Sequence, residues 1–177
     1  KHASFYFPDG NLVILVEATL YNVYRHVLMR ESELFSKLLS PREGIQCDKR
    51  FADHKPLRWD SVTCKDFDLL LSILYPPCVG DVRTFADLGT TDWFSVFTIA
   101  SDWSFNAIRD LAITELTILT SPLQKVWYSR KYDIPGWEFD SYKILCTQSE
   151  PLTEEEGECL GLKEVIIIGG IRETYLR

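Results

Sequence analysis

The sequence has few cysteines, no long apolar run and no surplus of positive charge, and each of these shortages excludes a class of protein. Its five cysteines are scattered and include no Cys-x-x-Cys pair, which argues against a disulfide framework. The longest strongly apolar run, residues 165–168, is far shorter than the roughly 18 residues that a membrane span needs. We therefore expect an intracellular protein of the cytoplasm or nucleus that has no membrane partner.

Positive charge is outweighed by negative charge. The chain of 177 residues carries 19 Lys and Arg against 26 Asp and Glu, a net charge of −7. Because proteins bind nucleic acids largely through cations that neutralise phosphates, we expect no nucleic-acid partner. Hydrophobic residues make up 46% of the chain, which is enough for a core that needs neither disulfides nor metals.

Sequence motifs for metals and cofactors are missing as well. The three histidines, His2, His26 and His54, lie outside any His-Glu-x-x-His or Cys-His metal spacing. Gly169 and Gly170 follow an isoleucine run, but no dinucleotide or P-loop pattern continues from them, and we interpret them as a helix irregularity or a helix end. The sequence predicts no catalytic residue, no metal and no cofactor.

One enzymatic alternative stays open, a thiol-dependent enzyme that uses Cys64 or Cys78. Cys64 is close in sequence to His54 and Asp60, which would supply a base and an orienting carboxylate. Closeness in sequence does not bring three side chains together in space. Cys64 equally suits the first turn of a helix, where the positive end of the helix dipole favours a thiolate.

Short β-branched and aromatic runs near the amino terminus predict strands, with a turn at Pro8-Asp9-Gly10. The predicted strands cover residues 4–7, 11–16, 19–23 and 57–59. Apolar residues then recur every three or four positions, which predicts two short helices over residues 27–39, with Ser32 at a helix start. Residues 40–56 are polar and contain helix breakers, and we interpret them as a surface loop.

The rest of the chain predicts a cluster of helices. Thr63, Ser121 and Thr153 have the N-cap pattern, and Tyr75 followed by two prolines ends a helix. Residues 165–172 are ambiguous, because their β-branched composition suits a strand while their place among helices suits a helix. A small amino-terminal sheet followed mostly by helices is an α+β arrangement. We expect its core to contain Phe67, Leu70, Leu71, Leu74, Phe97 and Phe105.

Three blocks of the sequence resemble the BTB/POZ domain. Residues 11–35 are similar to its opening pattern, an Asp-Val-x-Leu-x-Val strand followed by Phe-x-Ala-His-Arg-x-Val-Leu and Ser-x-x-Phe. The matching residues are Leu12, Ile14, Val16, Tyr21, Val23, Tyr24, Arg25, Val27, Leu28, Ser32 and Phe35. Residues 67–75 resemble the Phe-x-x-Leu-Leu-x-Phe-Ile-Tyr helix of the family, and residues 99–105 its Ala-Ala-x-x-Leu-x-Met helix.

The resemblance implies a BTB/POZ-like fold over residues 4–119, in which a small sheet packs against a cluster of helices. Residues 120–177 would form a helical extension packed on it, similar to a group of fungal BTB proteins, with residues 165–172 helical. By analogy the chain would be a non-catalytic adaptor or scaffold, because BTB proteins self-associate, recruit cullin-type ubiquitin ligases or hold corepressors. A substrate adaptor of a cullin-type ligase is the alternative, although the segment after Tyr75 lacks the hydrophobic-x-Glu element expected for cullin contact.

The resemblance also indicates where a protein partner would bind. Asn11 stands where the family has Asp and Tyr24 where it has His, so that only Arg25 remains of the charged pocket of corepressor-binding members. The loop after Tyr75 adds apolar side chains, which suit recognition by a loop. The candidate partner-binding residues are Asn11, Tyr24, Arg25, Val79, Val82 and Phe85.

Overall fold

The computed structural model of the chain describes residues 1–40, 51–76 and 87–175. The chain divides into two compact units, Lys1–Leu116 and Thr117–Arg177. The first unit contains a three-stranded sheet and helices, and the second is helical in its described part. The α+β class that the sequence predicts is therefore confirmed.

The sheet places the amino-terminal hairpin beside a strand that follows much later in the chain. Strands β1 (Leu12–Val16) and β2 (Thr19–Val23) pair antiparallel, and β3 (Leu57–Trp59) pairs parallel to β1, which gives the order β2-β1-β3. Glu17 in the hairpin turn has a φ of 50°, a left-handed conformation that costs energy for a residue other than glycine. Because β1 is the central strand, four of its five side chains are buried.

The prediction of a strand over residues 4–7 is wrong. Only Tyr6 forms a bridge in this segment, parallel to Asn22 of β2. The N–H groups of residues 4 and 5 donate instead to Nδ1 of His2, at 3.2 and 2.9 Å. A side chain therefore competes with the sheet for the backbone donors and bends the segment.

Two short helices follow the hairpin, as predicted. Helix α1 covers Arg25–Glu31 and helix α2 covers Glu33–Leu39, and Ser32 between them is the N-cap of α2. The Ser32 hydroxyl accepts the N–H of Phe35 at 3.1 Å and donates to the carbonyl of Trp103 at 2.6 Å. This buried hydroxyl is thus satisfied on both sides.

The remaining helices of the first unit enclose the core. Helix α3 is Cys64–Leu74, and α4 is Thr90–Asp102. The next helix, α5, covers Asn106–Leu119 and continues past the boundary of the first unit. Thr63 caps α3 by accepting the N–H of Asp66, and the helix ends before Tyr75, both as predicted.

The predicted core is confirmed at five of its six positions. Four side chains are fully buried and Phe97 is 1% exposed; the five are Phe67, Leu70, Leu71, Phe97 and Phe105. Leu74 is only half-buried, because it is the last residue of α3 and lies at the edge of the packed region.

The second unit consists of four described helices around its own small core. These are α6 (Pro122–Tyr132), α7 (Trp137–Thr147), α8 (Glu154–Leu160) and α9 (Leu162–Tyr175). Capping boxes begin α6 at Ser121 and α8 at Thr153, as predicted. The buried residues of this core are Val126, Leu145, Cys146, Leu160 and Ile168.

The ambiguous residues 165–172 lie inside α9 and are helical. The helical expectation is therefore confirmed, and the strand alternative is wrong. Gly169 and Gly170 do not end the helix, which continues for another turn beyond them. None of the helices in the described parts of the chain is long and apolar enough to cross a membrane.

Replacing Leu71 with alanine tests whether α3 is central to the core of the first unit. Leu71 is fully buried, and we expect Leu71→Ala to lower the free energy of unfolding by about 2–5 kcal/mol. Leu38 is 41% exposed, so the matched variant Leu38→Ala should cost about 1 kcal/mol or less. Chemical denaturation measures both values, and equal losses would contradict the assigned core.

Candidate functional site

Asn11, Tyr24 and Arg25 meet where α1 begins. Tyr24 is the N-cap residue of α1, but its side chain makes no cap hydrogen bond. Asn11, just before β1, supplies the missing acceptor, because its Oδ1 accepts the N–H of Arg25 at 2.7 Å. The backbone N–H of Asn11 donates to the carbonyl of Val23 at 3.1 Å, which holds Asn11 against the end of β2.

The ring of Tyr24 lies in an aromatic cluster. It stacks on Phe7 with 5.2 Å between ring centroids and is tilted against Tyr75 at 6.1 Å. Its hydroxyl donates to Oδ1 of Asp9 at 2.7 Å, and this hydrogen bond raises the pKa of Tyr24. We call the group Asp9, Asn11, Tyr24 and Arg25 the Tyr24 surface.

Tyr75, the residue that follows α3, supports the Tyr24 surface through its hydroxyl. Its hydroxyl accepts the backbone N–H of Tyr24 at 3.1 Å and donates to the carbonyl of Tyr24 at 3.3 Å. Burial raises the pKa of Tyr75 to about 12. The orphan N–H at the start of α1 is therefore satisfied by a side chain 51 residues away in sequence.

The structure thus brings together three of the six predicted partner-binding residues. Asn11 is exposed, while Tyr24 and Arg25 are half-buried. The other three, Val79, Val82 and Phe85, lie outside the described residues, and their role stays a prediction.

Sequence reasoning missed three side chains around Tyr24, of which Asp9 belongs to the Tyr24 surface and the other two support it. Phe7, Asp9 and Tyr75 contact Tyr24 but were interpreted as strand, turn and helix-end residues. The turn Pro8-Asp9-Gly10 was the available signal, because a turn that leads into β1 places its side chains beside the end of β2. No local signal pointed to Tyr75, since its contact with Tyr24 is tertiary.

Cys64 does not form the constellation proposed from the sequence. In the described part of the chain, its hydrogen bonds go to the hairpin rather than to His54 or Asp60. Its Sγ lies 3.5 Å from the carbonyl oxygen of Val16, and its N–H donates to Oε2 of Glu17 at 3.1 Å. The Cys64 side chain and then its N–H lower the pKa of the Glu17 carboxylate. The first turn of α3 is therefore joined to the turn between β1 and β2.

A hydrogen-bond chain lies close to Cys64. The hydroxyl of Tyr21 donates to Oδ1 of Asp68 at 2.9 Å, and Oδ2 of Asp68 lies 3.3 Å from Nε2 of His2. Nδ1 of His2 accepts two backbone N–H groups, and the other ring nitrogen, Nε2, faces Asp68. Burial, followed by hydrogen bonds with Cys64 and Asp68, raises the pKa of Tyr21.

This hydrogen-bond chain includes an imidazole, a carboxylate and a phenol, with a thiol nearby, but the side chain of Tyr21, which carries the phenol, is fully buried. What it does in the structure is to attach the amino-terminal segment to α3. Among the described residues, no group of three or more His, Cys, Asp or Glu side chains is arranged to hold a metal ion. The thiol of Cys78 lies outside the described residues.

The raised pKa of Tyr75 predicts a loss of stability at high pH. Its folded pKa of about 12 exceeds the ordinary value of 10.0, so its contribution is complete below pH 10 and is lost as the pH rises towards 12. Tyr75→Phe should reduce the fall in unfolding free energy over this range, and at neutral pH it should cost about 1 kcal/mol for the lost hydrogen bonds. Denaturation curves at several pH values measure this, and an unchanged pH dependence would contradict the burial of the hydroxyl.

The environment of the cysteines predicts their order of reactivity. Cys159 is exposed, whereas Cys64 is half-buried with its Sγ against a carbonyl oxygen. We expect iodoacetamide to alkylate Cys159 about tenfold faster than Cys64, as measured by mass spectrometry of the resulting peptides. The two rates should become similar in denaturant, and a faster reaction at Cys64 in the folded protein would favour the thiol-enzyme alternative.

Comparison with known proteins adds no relative to this picture. No protein-family model matches the chain, and no curated protein matches its sequence. The Tyr24 surface is therefore interpreted from its own contacts.

Proposed function

We propose that this chain is a non-catalytic adaptor or scaffold of the BTB/POZ type, which binds another protein through the Tyr24 surface. The proposal combines the resemblance of three sequence blocks with the place that the residues of the first block take in the fold. It makes the chain a module whose surface, rather than a reactive group, performs the function.

The observation that carries the proposal is how the first block divides between core and surface. Eight of its eleven matching residues are buried at 2% exposure or less: Leu12, Ile14, Val16, Tyr21, Val23, Leu28, Ser32 and Phe35. The other three, Tyr24, Arg25 and Val27, are half-buried and close together in sequence. A pattern that specifies one core and leaves a single short stretch of the chain partly accessible suits a fold with a recognition surface.

The chemistry of the Tyr24 surface suits a protein partner. It combines an aromatic ring, a carboxylate and a carboxamide beside an arginine, and Tyr and Arg are the residue types that most often dominate binding energy at interfaces. The ring is fixed by Phe7 and Tyr75, so little side-chain entropy is lost when a partner covers it. The surface is therefore preorganised for binding.

Affinity purification of the full chain with two matched charge reversals tests this function. Arg25→Glu alters the Tyr24 surface, and Lys37→Glu alters an 82% exposed side chain on α2. We expect a protein partner, or a second copy of the chain, to be retained by the unmodified chain and by Lys37→Glu, and to be retained about tenfold less by Arg25→Glu. Quantitative mass spectrometry of the bound proteins measures retention of a partner, and light scattering measures association with a second copy of the chain.

Thermal denaturation of both variants controls for folding. If the Arg25→Glu variant keeps its partner as well as Lys37→Glu does, the Tyr24 surface is not the binding site. If the purified chain stays a monomer, retains no protein and turns over a small substrate, the adaptor function itself is wrong. Retention of a cullin would identify the ligase-adaptor alternative.

A further inference from the structure

The second unit contains a cavity that the proposed function does not use. It has a volume of about 350 Å³ and lies between one face of α6 and the carboxyl end of α8. Leu123, Val126 and Leu160 provide its apolar lining, and the last two are almost fully buried. Ligand pockets span roughly 300–1,000 Å³, so this volume suits one large apolar group and is small for a dinucleotide.

An exposed tryptophan and a lysine lie at the rim of the cavity. The side chain of Trp127 also lines the cavity and is 51% exposed, which is unusual for so large an apolar residue. Nζ of Lys131 lies 4.8 Å from the ring centroid of Trp127 and 5.0 Å from that of Tyr132. These contacts hold the ammonium group beside the opening.

The charge of α6 is opposite to that of the chain. The helix contains Lys125, Arg130 and Lys131 and no acidic residue, within a chain of net charge −7. The guanidinium group of Arg130 already forms ion pairs, with Glu138 at 3.1 Å and with Glu164 at 2.5 Å. Among the described residues Lys131 contacts only aromatic rings, which leaves its ammonium group able to bind an external carboxylate.

We propose that this cavity, the Trp127 pocket, binds a segment of a protein partner in which one large apolar side chain is flanked by Asp or Glu. The apolar side chain enters the cavity beside Trp127, and a flanking carboxylate pairs with Lys131. The inference rests on the proposed adaptor function and adds a second binding site to it, with a stated chemistry.

The surroundings of the pocket favour an acidic peptide over an anionic membrane. Helix α8 carries four glutamates, Glu154, Glu155, Glu156 and Glu158, in the seven residues that lead to the cavity. A lipid surface would bring phosphates against these carboxylates as well as against Lys131. A peptide can instead place a single carboxylate beside Lys131. The cavity is lined both by apolar side chains and by Lys131, which suits a segment that presents an apolar side chain and a carboxylate together.

Nuclear magnetic resonance of the isotope-labelled full chain tests the pocket with a defined probe, the peptide acetyl-Gly-Glu-Phe-Glu-Gly-amide. We expect shifts confined to α6 and the end of α8, with millimolar or tighter affinity. The exposed thiol of Cys159 lines the cavity, so the bound peptide should also slow its alkylation by iodoacetamide. Two control peptides carry Lys in place of both Glu residues, or Ala in place of Phe, and each should bind at least about fivefold more weakly.

Variants of the chain distinguish the contribution of the lysine from that of the tryptophan. Lys131→Glu should weaken the Glu-Phe-Glu peptide about fivefold and spare the Lys-Phe-Lys peptide, while Trp127→Ala should weaken both. The matched control Lys143→Glu reverses an exposed charge on α7, away from the cavity, and should change neither.

Several results would overturn the proposal. They are equal binding of the acidic and basic peptides, shifts that lie elsewhere, or no binding in the millimolar range. Binding of α6 to phosphatidylserine vesicles without binding of the peptide would instead assign the surface to a membrane. Arg25→Glu should leave peptide binding unchanged. A failure of the Trp127 pocket proposal can therefore be distinguished from a failure of the proposal for the Tyr24 surface.

Discussion

The first unit depends on the packing of aromatic rings around Trp103. The ring of Trp103 contacts Trp59 of β3 at 4.4 Å, Phe35 of α2 at 5.4 Å and Phe67 of α3 at 5.6 Å between centroids. Its carbonyl accepts the buried hydroxyl of Ser32. Elements from four parts of the chain therefore meet at one residue, and each ring contributes its buried area and the preference of aromatic rings for tilted packing.

This core also determines where the candidate surface lies. With α3 fixed by Phe67, its last turn directs Tyr75 to the start of α1, where the Tyr75 hydroxyl bonds both backbone groups of Tyr24. Asn11 reaches the same point from the start of β1. The Tyr24 surface is thus formed by two segments and supported by a third, Tyr75, which only the packed core brings together, and its rigidity follows from their hydrogen bonds.

The surroundings of Cys64 show how tertiary contacts change a chemical hypothesis. Residues close in sequence, His54 and Asp60, suggested a catalytic group, yet the hydrogen bonds of Cys64 go to the hairpin turn at Glu17. A negative carboxylate beside the first turn of α3 satisfies an orphan N–H and suits the positive end of the helix dipole. The same contact offsets part of the cost of the left-handed backbone of Glu17.

Local signals in the sequence were sufficient for most of the elements. Helix starts at Ser32, Thr63 and Ser121 were predictable because an N-cap is a contact between residues three apart, and the helix end before Tyr75 because proline acts on its nearest neighbours. Residues 4–7 were mispredicted as a strand because His2 takes the backbone N–H groups of residues 4 and 5, an interaction that β propensity does not include.

The sequence by itself therefore determined most of the elements, their caps and five of the six predicted core positions, since these depend on propensity and on hydrophobic spacing along the chain. Only the tertiary structure decided that Asn11 and Tyr75 support Tyr24, that Cys64 bonds the hairpin, and that the isoleucine run of α9 is helical. Those outcomes depend on hydrogen bonds and packing between residues far apart in sequence, which no local pattern encodes.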